Sequence, residues 1–216
     1  MDGTITLTEQ LHHKAFAEVF KEHGVADYTF EEQITKYAGS GSKNIFAEVF
    51  KARGVAVSPE EIEKCAAKKK ELYTKIVQEG EIAVVDGVKE FIKKIHDAGL
   101  RKIIATGNSN LDIVRVILQK VGLLGYFPEI ISITEVPRGK PFPDVFLEAA
   151  KRMNCEPAEC VVLEDSANGI QAAHAAGIRS IALETTSKAE DLRAAGATYT
   201  VKNYFQITNE ILYGDK

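Results

Sequence analysis

From residue 6 to about residue 78 the apolar positions recur every three or four residues, and the chain reads as helix after helix. Leu11, Ala15, Phe16, Val19 and Phe20 fall on one helical face, and Gly24 stands where a C-terminal cap belongs. Ile45, Phe46, Val49 and Phe50 repeat the pattern, with Ser42 as the expected N-cap and Gly54 as the stop. Ser58-Pro59-Glu60-Glu61 is a strong helix start: Ser58 caps, Pro59 suits the first turn, and Glu61 closes a capping box. That helix is expected to run to about residue 78 and to end near Gly80.

Beyond this stretch the rhythm changes. Amphipathic helices are predicted over 87–96, 111–121, 144–153 and 167–176. Short apolar strands are predicted between them, over 102–106, 129–133, 160–163 and 180–183. Strands that are apolar on both faces and alternate with helices predict a parallel sheet covered by helices on each side. The expected fold is therefore α/β: a parallel, Rossmann-like sheet with flanking helices and an inserted all-helical domain. The core is assigned to residues 1–7 and 79–216, the insertion to 8–78.

Composition narrows the function classes. Apolar residues make up 45% of the 216 positions and charged residues 27%, the balance of a globular protein. A net charge of −4 supplies no field that would gather nucleic acid or an acidic membrane. No apolar run approaches the ~18 residues that a membrane span needs. Cys65, Cys155 and Cys160 are an odd count without C-x-x-C spacing, so neither a disulfide framework nor a zinc motif is expected. The reading is a cytoplasmic protein, monomeric or weakly dimeric, without nucleic-acid or membrane partners.

A parallel sheet carries its chemistry at the carboxyl ends of its strands, and here those ends are polar. Thr106-Gly107-Asn108 closes one strand, Glu164-Asp165-Ser166 another, and Arg138-Gly139-Lys140-Pro141 follows a third. The opening Asp2-Gly3-Thr4 has the look of a strand end without the strand's body. If these groups converge, Asp2, Glu164 and Asp165 crowd three carboxylates together, which calls for a cation, and an oxygen-only donor set suits Mg²⁺. Lys140, the Thr106 hydroxyl and the amides at Thr106-Gly107 are fitted to an anion. Together they describe a site for phosphoryl transfer.

These residues resemble a family. Asp2-Gly3-Thr4, Ile104-Ala105-Thr106-Gly107-Asn108-Ser109, Lys140-Pro141-Phe142-Pro143-Asp144 and Val162-Leu163-Glu164-Asp165-Ser166 look like the four ordered motifs of the haloacid dehalogenase-like superfamily, in its branch of capped phosphatases and β-phosphoglucomutases. The resemblance implies a helical cap over 8–78. It makes Asp2 the general acid/base and, through its carbonyl, a metal contact. It makes Thr106 and Lys140 the groups that grip the phosphoryl group, and Glu164 and Asp165 the metal carboxylates. It further implies Mg²⁺ as cofactor and a small phosphorylated metabolite, most simply a sugar phosphate, as substrate. The family's first motif reads Asp-x-Asp, and Met1 occupies its middle position. The nucleophilic Asp thus falls before Met1, the core strand leading to it is absent from these residues, and the chain as given is expected to be inactive.

Other residues are weaker candidates. His12 lies where some relatives carry a substrate-side histidine, and Asn108 and Asn110 are plausible substrate contacts. Gly39-Ser40-Gly41-Ser42-Lys43 lacks the ending and the preceding strand of a nucleotide P-loop. The resemblance makes it the cap's specificity loop, where β-phosphoglucomutases place an arginine and this sequence has Ser42 or Lys43, with Lys43 the substrate-binding candidate. Two rivals stay open: a β-phosphoglucomutase-like phosphohexomutase, and a non-catalytic metal- and phosphate-binding protein if Met1 is the true start.

Overall fold

The computed structural model describes residues 1–37 and 40–214. They fall into two compact units, Met1–Leu7 with Ile82–Lys216 and Thr8–Glu81, a boundary three residues beyond the one read from the sequence.

The second unit is helical: α1 (Glu9–Glu22), α2 (Phe30–Lys36), α3 (Ser42–Ala52) and α4 (Pro59–Glu79). The faces predicted from spacing are the buried ones. Phe16, Val19 and Phe20 of α1 and Ile45, Phe46, Val49 and Phe50 of α3 meet Tyr28 and Cys65 in one cluster. Phe20 meets Phe50 edge-on at 5.3 Å between centroids, while the Phe16–Phe20 and Phe46–Phe50 pairs lie stacked at 6.2 and 5.9 Å. Two local predictions need correction. Gly41, in extended conformation, is the N-cap of α3, and Ser42 is its first helical residue. At α4 the Ser58 hydroxyl accepts from the Glu61 amide as expected. The Glu61 side chain does not reach back, because it is drawn to His23 and Lys64. Gly39 of the predicted specificity loop lies outside the described residues.

The first unit alternates helix and strand: α5 (Val88–Asp97), β1 (Ile104–Thr106), α6 (Leu111–Lys120), β2 (Ile130–Ser132), α7 (Asp144–Arg152), β3 (Val161–Glu164), α8 (Ala167–Ala175), β4 (Arg179–Leu183), α9 (Ala189–Ala194), β5 (Tyr199–Val201) and α10 (Asn209–Tyr213). Every pairing between these strands is parallel. Among the described residues they form two ladders, β1–β2 and β3–β4–β5. One apolar layer spans both: Val145, Phe146, Ala149 and Ala150 of α7 and Ala172 and Ala173 of α8 pack with Ile131 of β2 and Val162 of β3, and Ala105 of β1 lies against them. No helix among the described residues is long and apolar enough to cross a membrane.

Candidate active site

The opening residues fold as a tight turn at the carboxylate end of β3. Met1 is buried, and its carbonyl accepts from the amides of Thr4, Ile5 and Thr6. Gly3 takes φ +68°, and a Cβ there would stand 2.0 Å from Asp165 Oδ2. Glycine is required on both counts: the left-handed backbone strains other residues, and the Asp165 carboxylate occupies the side-chain space.

Asp165 follows directly on the last residue of β3 and is 5% exposed. Its Oδ1 accepts from Thr4 Oγ1 at 2.7 Å and its Oδ2 from Thr186 Oγ1 at 2.5 Å. Thr185 donates to the Gly3 carbonyl and Tyr204 to the Thr4 carbonyl, so the loop after β4 and the buried Tyr204 hold the turn against the carboxylate. Thr185, Thr186 and Tyr204 were not singled out in the sequence. Thr185 and Thr186 do follow the carboxyl end of β4, a position that could have marked them; nothing local marks Tyr204.

Glu164 closes β3 and is also 5% exposed. Its Oε2 accepts from Lys140 Nζ at 2.7 Å, and its Oε1 accepts from the Ser166 hydroxyl at 2.7 Å and the Ser166 amide at 3.2 Å. Ser166 caps α8 through the Gly169 amide. A Cβ on Gly169 would stand 2.1 Å from Glu164 Cδ, so this glycine leaves room for the carboxylate. Lys140 also lies over the Phe146 ring, 4.8 Å from its centroid.

The adjacent acids are shifted in opposite directions. Burial works against ionising Glu164, but Lys140, the amino terminus at Met1 and hydrogen bonds from Lys140 and Ser166 outweigh it and hold its carboxyl low. Asp165 is pushed up, first by burial and then by the Glu164 charge, despite hydrogen bonds from Thr186 and Thr4. Burial, followed by the two carboxylates, also pushes the Tyr204 phenol up.

A second group stands at the end of β1. Thr106 is 1% exposed, and its hydroxyl accepts from the Asn108 amide at 3.1 Å. Asn108 Oδ1 accepts from the Asn110 amide, and Ser132 at the end of β2 donates to the Asn108 carbonyl. A Cβ on Gly107 would meet nothing within 4 Å, so the backbone there is open to a bound group.

The structure thus brings Asp2-Gly3-Thr4, Lys140, Glu164 and Asp165 together, and sets Thr106, Gly107, Asn108 and Asn110 on one strand-end loop. The two remaining candidates belong to the helical unit. His12 stacks on Tyr73 at 3.9 Å between centroids, and its Nδ1 accepts from the buried Lys69 at 2.7 Å. Lys43 is exposed and paired with Glu63 at 2.5 Å.

The donor set tests the fit of a divalent cation. Two adjacent buried carboxylates share one region, and Asp165 resists ionisation first through burial and then through the Glu164 charge. Glu164 Oε2 and both Asp165 oxygens keep lone-pair capacity beyond the single hydrogen bond each accepts, whereas Glu164 Oε1 already accepts two. These hard oxygens fit Mg²⁺.

Comparison with known proteins gives concordant results. A family model described as haloacid dehalogenase-like hydrolase matches residues 1–183. Protein CbbY of Rhodobacter capsulatus is 31% identical over 199 residues, covering 90% of this chain and 88% of the relative. Fructose-1-phosphate phosphatase YqaB of Escherichia coli is 33% identical over 183 residues, covering 84% and 92%. Among solved structures, a substituted form of CbbY from Rhodobacter sphaeroides in complex with xylulose-(1,5)bisphosphate superposes with a TM-score of 0.79. It is 29% identical, with 95% of this chain and 92% of that one covered.

Proposed function

The chain belongs to the haloacid dehalogenase-like hydrolases, and from that premise we propose that its site hydrolyses a small sugar phosphate with Mg²⁺. One observation carries the reading: the Asp2-Gly3-Thr4 turn is locked onto Asp165, next to the buried Lys140–Glu164 pair. The relatives support the substrate class, since one is named a fructose-1-phosphate phosphatase and another holds a sugar bisphosphate.

In this reading Asp2, Glu164 and Asp165 hold the metal. When bound, Mg²⁺ draws charge from the phosphoryl oxygens and cancels the repulsion among the carboxylates. Lys140 places its ammonium beside the phosphoryl group, oriented by Glu164. Thr106 and the open amide at Gly107 bind the phosphoryl oxygens. Asp2 gives its proton to the departing sugar oxygen and later takes one from water. The attacking carboxylate is an Asp immediately before Met1, on a strand that pairs between β1 and β3. The division of the strands into two ladders under one helical layer supports that place.

The attack forms a P–O bond to that Asp and breaks the P–O bond to the sugar. Water then releases inorganic phosphate and restores the carboxylate. In the helical unit, His12 and Lys69 form a hydrogen-bonded polar pair. The test is a panel of sugar phosphates, including fructose 1-phosphate and xylulose 1,5-bisphosphate, assayed on the chain preceded by a segment ending in Phe-Asp. Release of inorganic phosphate that requires Mg²⁺ is expected. Movement of the phosphoryl group between sugar positions without release would make the protein a mutase instead.

A further inference from the structure

In the helical unit, α1 ends at Glu22, and its C-cap residue His23 turns its ring toward the start of α4. Glu61 and Cys65 stand four residues apart on α4 and so share a face. His23 Nε2 lies 3.2 Å from Glu61 Oε1 and 3.6 Å from Cys65 Sγ. All three donor atoms lie within 4.8 Å of one another.

The other ring nitrogen fixes the tautomer. Nδ1 is 3.0 Å from the Val19 carbonyl oxygen, which only accepts, so Nδ1 carries a hydrogen. In the neutral ring the Nε2 lone pair then points at a carboxylate oxygen and a sulfur. A positive centre among these atoms would relieve the contact between electron-rich groups. A proton on the ring or on the thiol joins two of the three, whereas a metal ion joins all of them. Zinc bonds of about 2.0 Å to N and O and about 2.3 Å to S set tetrahedral edges of about 3.3 Å between N and O and about 3.6 Å between N and S. The observed separations lie at both values.

The surroundings are those of a ligand set already oriented. The Val19 carbonyl aims the imidazole as an outer-shell partner does. Lys64 lies 3.3 Å from Glu61 Oε2, which turns Oε1 inward. Cys65 is 2% exposed, and the Glu61 side chain is 37% exposed, leaving a solvent side for a fourth, water ligand.

We propose that His23, Glu61 and Cys65 form a site for a zinc-class divalent transition metal that ties the end of α1 to the start of α4. Binding forms bonds to Nε2, Oε1 and Sγ and releases the thiol proton to solvent. Sulfur and imidazole donors discriminate against Mg²⁺, so this site is chemically separate from the carboxylate site of the α/β unit and does not depend on the phosphatase reading.

The test is a titration of the full chain with Co²⁺ in the presence of excess Mg²⁺. A tetrahedral thiolate site gives a sulfur-to-cobalt absorption band in the near ultraviolet together with visible bands, all displaced by Zn²⁺. Cys65→Ser should abolish the sulfur band, while a Cys155→Ser, Cys160→Ser double variant keeps it. His23→Gln, at a half-buried position that preserves the fold if Cys65→Ser does not, should weaken Co²⁺ binding by at least the roughly tenfold that loss of an outer-shell partner already costs. No sulfur band, a band that survives Cys65→Ser, or unchanged affinity in His23→Gln would each overturn the proposal.

Discussion

Replacing Lys140 by Met removes the cation from Glu164 and leaves the carboxylate with Ser166 alone. The pair is buried, with side-chain exposures of 14% for Lys140 and 7% for Glu164 and a separation of 2.7 Å. An exposed pair would contribute about 0–1 kcal/mol, but breaking a buried one by removing a partner costs about 3–5 kcal/mol. For a chain of this size each kcal/mol corresponds to about 2–4 °C in Tm, so a fall of roughly 6–20 °C is expected. Met approximates the volume of the Lys stem and its contact with Phe146, so the loss reports charge more than packing. The assay is thermal and urea unfolding by far-ultraviolet circular dichroism in EDTA, since the chain has no tryptophan. A second variant completes a cycle: Glu164→Gln in the Lys140→Met background removes the stranded charge and should recover about 1–3 kcal/mol. A loss below about 1 kcal/mol for Lys140→Met, with no recovery in the double variant, would refute the buried-pair reasoning.

Gly3→Ala puts a methyl group into the Asp165 carboxylate at a positive φ, so destabilisation of at least ~1 kcal/mol and loss of Mg²⁺ binding by calorimetry are expected together. Gly169→Ala displaces Glu164 instead; weakened metal binding is expected, and unchanged binding would remove Glu164 from the account. In the helical unit, Arg53 hydrogen bonds hold the Glu32 carboxyl below its usual range despite burial. A depressed acid stabilises the fold above its unfolded value and loses that contribution as pH falls below about 4.5. The wild-type Tm should therefore drop more steeply between about pH 5 and 3 than that of Arg53→Met.

The α/β alternation was legible because the strands are apolar runs. Ile104, Ile130, Ile131 and Val162 are buried as their neighbours implied. The strand-end residues were legible too, since a parallel sheet delivers Thr106, Glu164 and Asp165 to the same end. What the sequence hid are contacts set by tertiary folding. Thr186 reaches Asp165 across 21 residues, and Tyr204 reaches the Thr4 carbonyl across 200. Glu61 carries a sound local signal for a capping box, but His23, from another helix, competes for its carboxylate and prevails. Lys69 reads as part of a solvated Lys68-Lys69-Lys70 face, yet it turns inward over the Phe16 ring, 4.5 Å from its centroid, and onto His12. Its neighbour Lys68 stays at the surface, paired with Glu22.

The proposed phosphoryl-transfer site joins Asp2, Thr106, Lys140 and Asp165 to a carboxylate supplied just before Met1. The most direct measurement compares Mg²⁺-dependent phosphate release from fructose 1-phosphate by three polypeptides. They are the 216-residue chain, the same chain preceded by a strand segment ending in Phe-Asp, and that longer chain carrying Asp2→Asn. Turnover is expected from the second alone. Full turnover by the 216-residue chain, or turnover that survives Asp2→Asn, would contradict it.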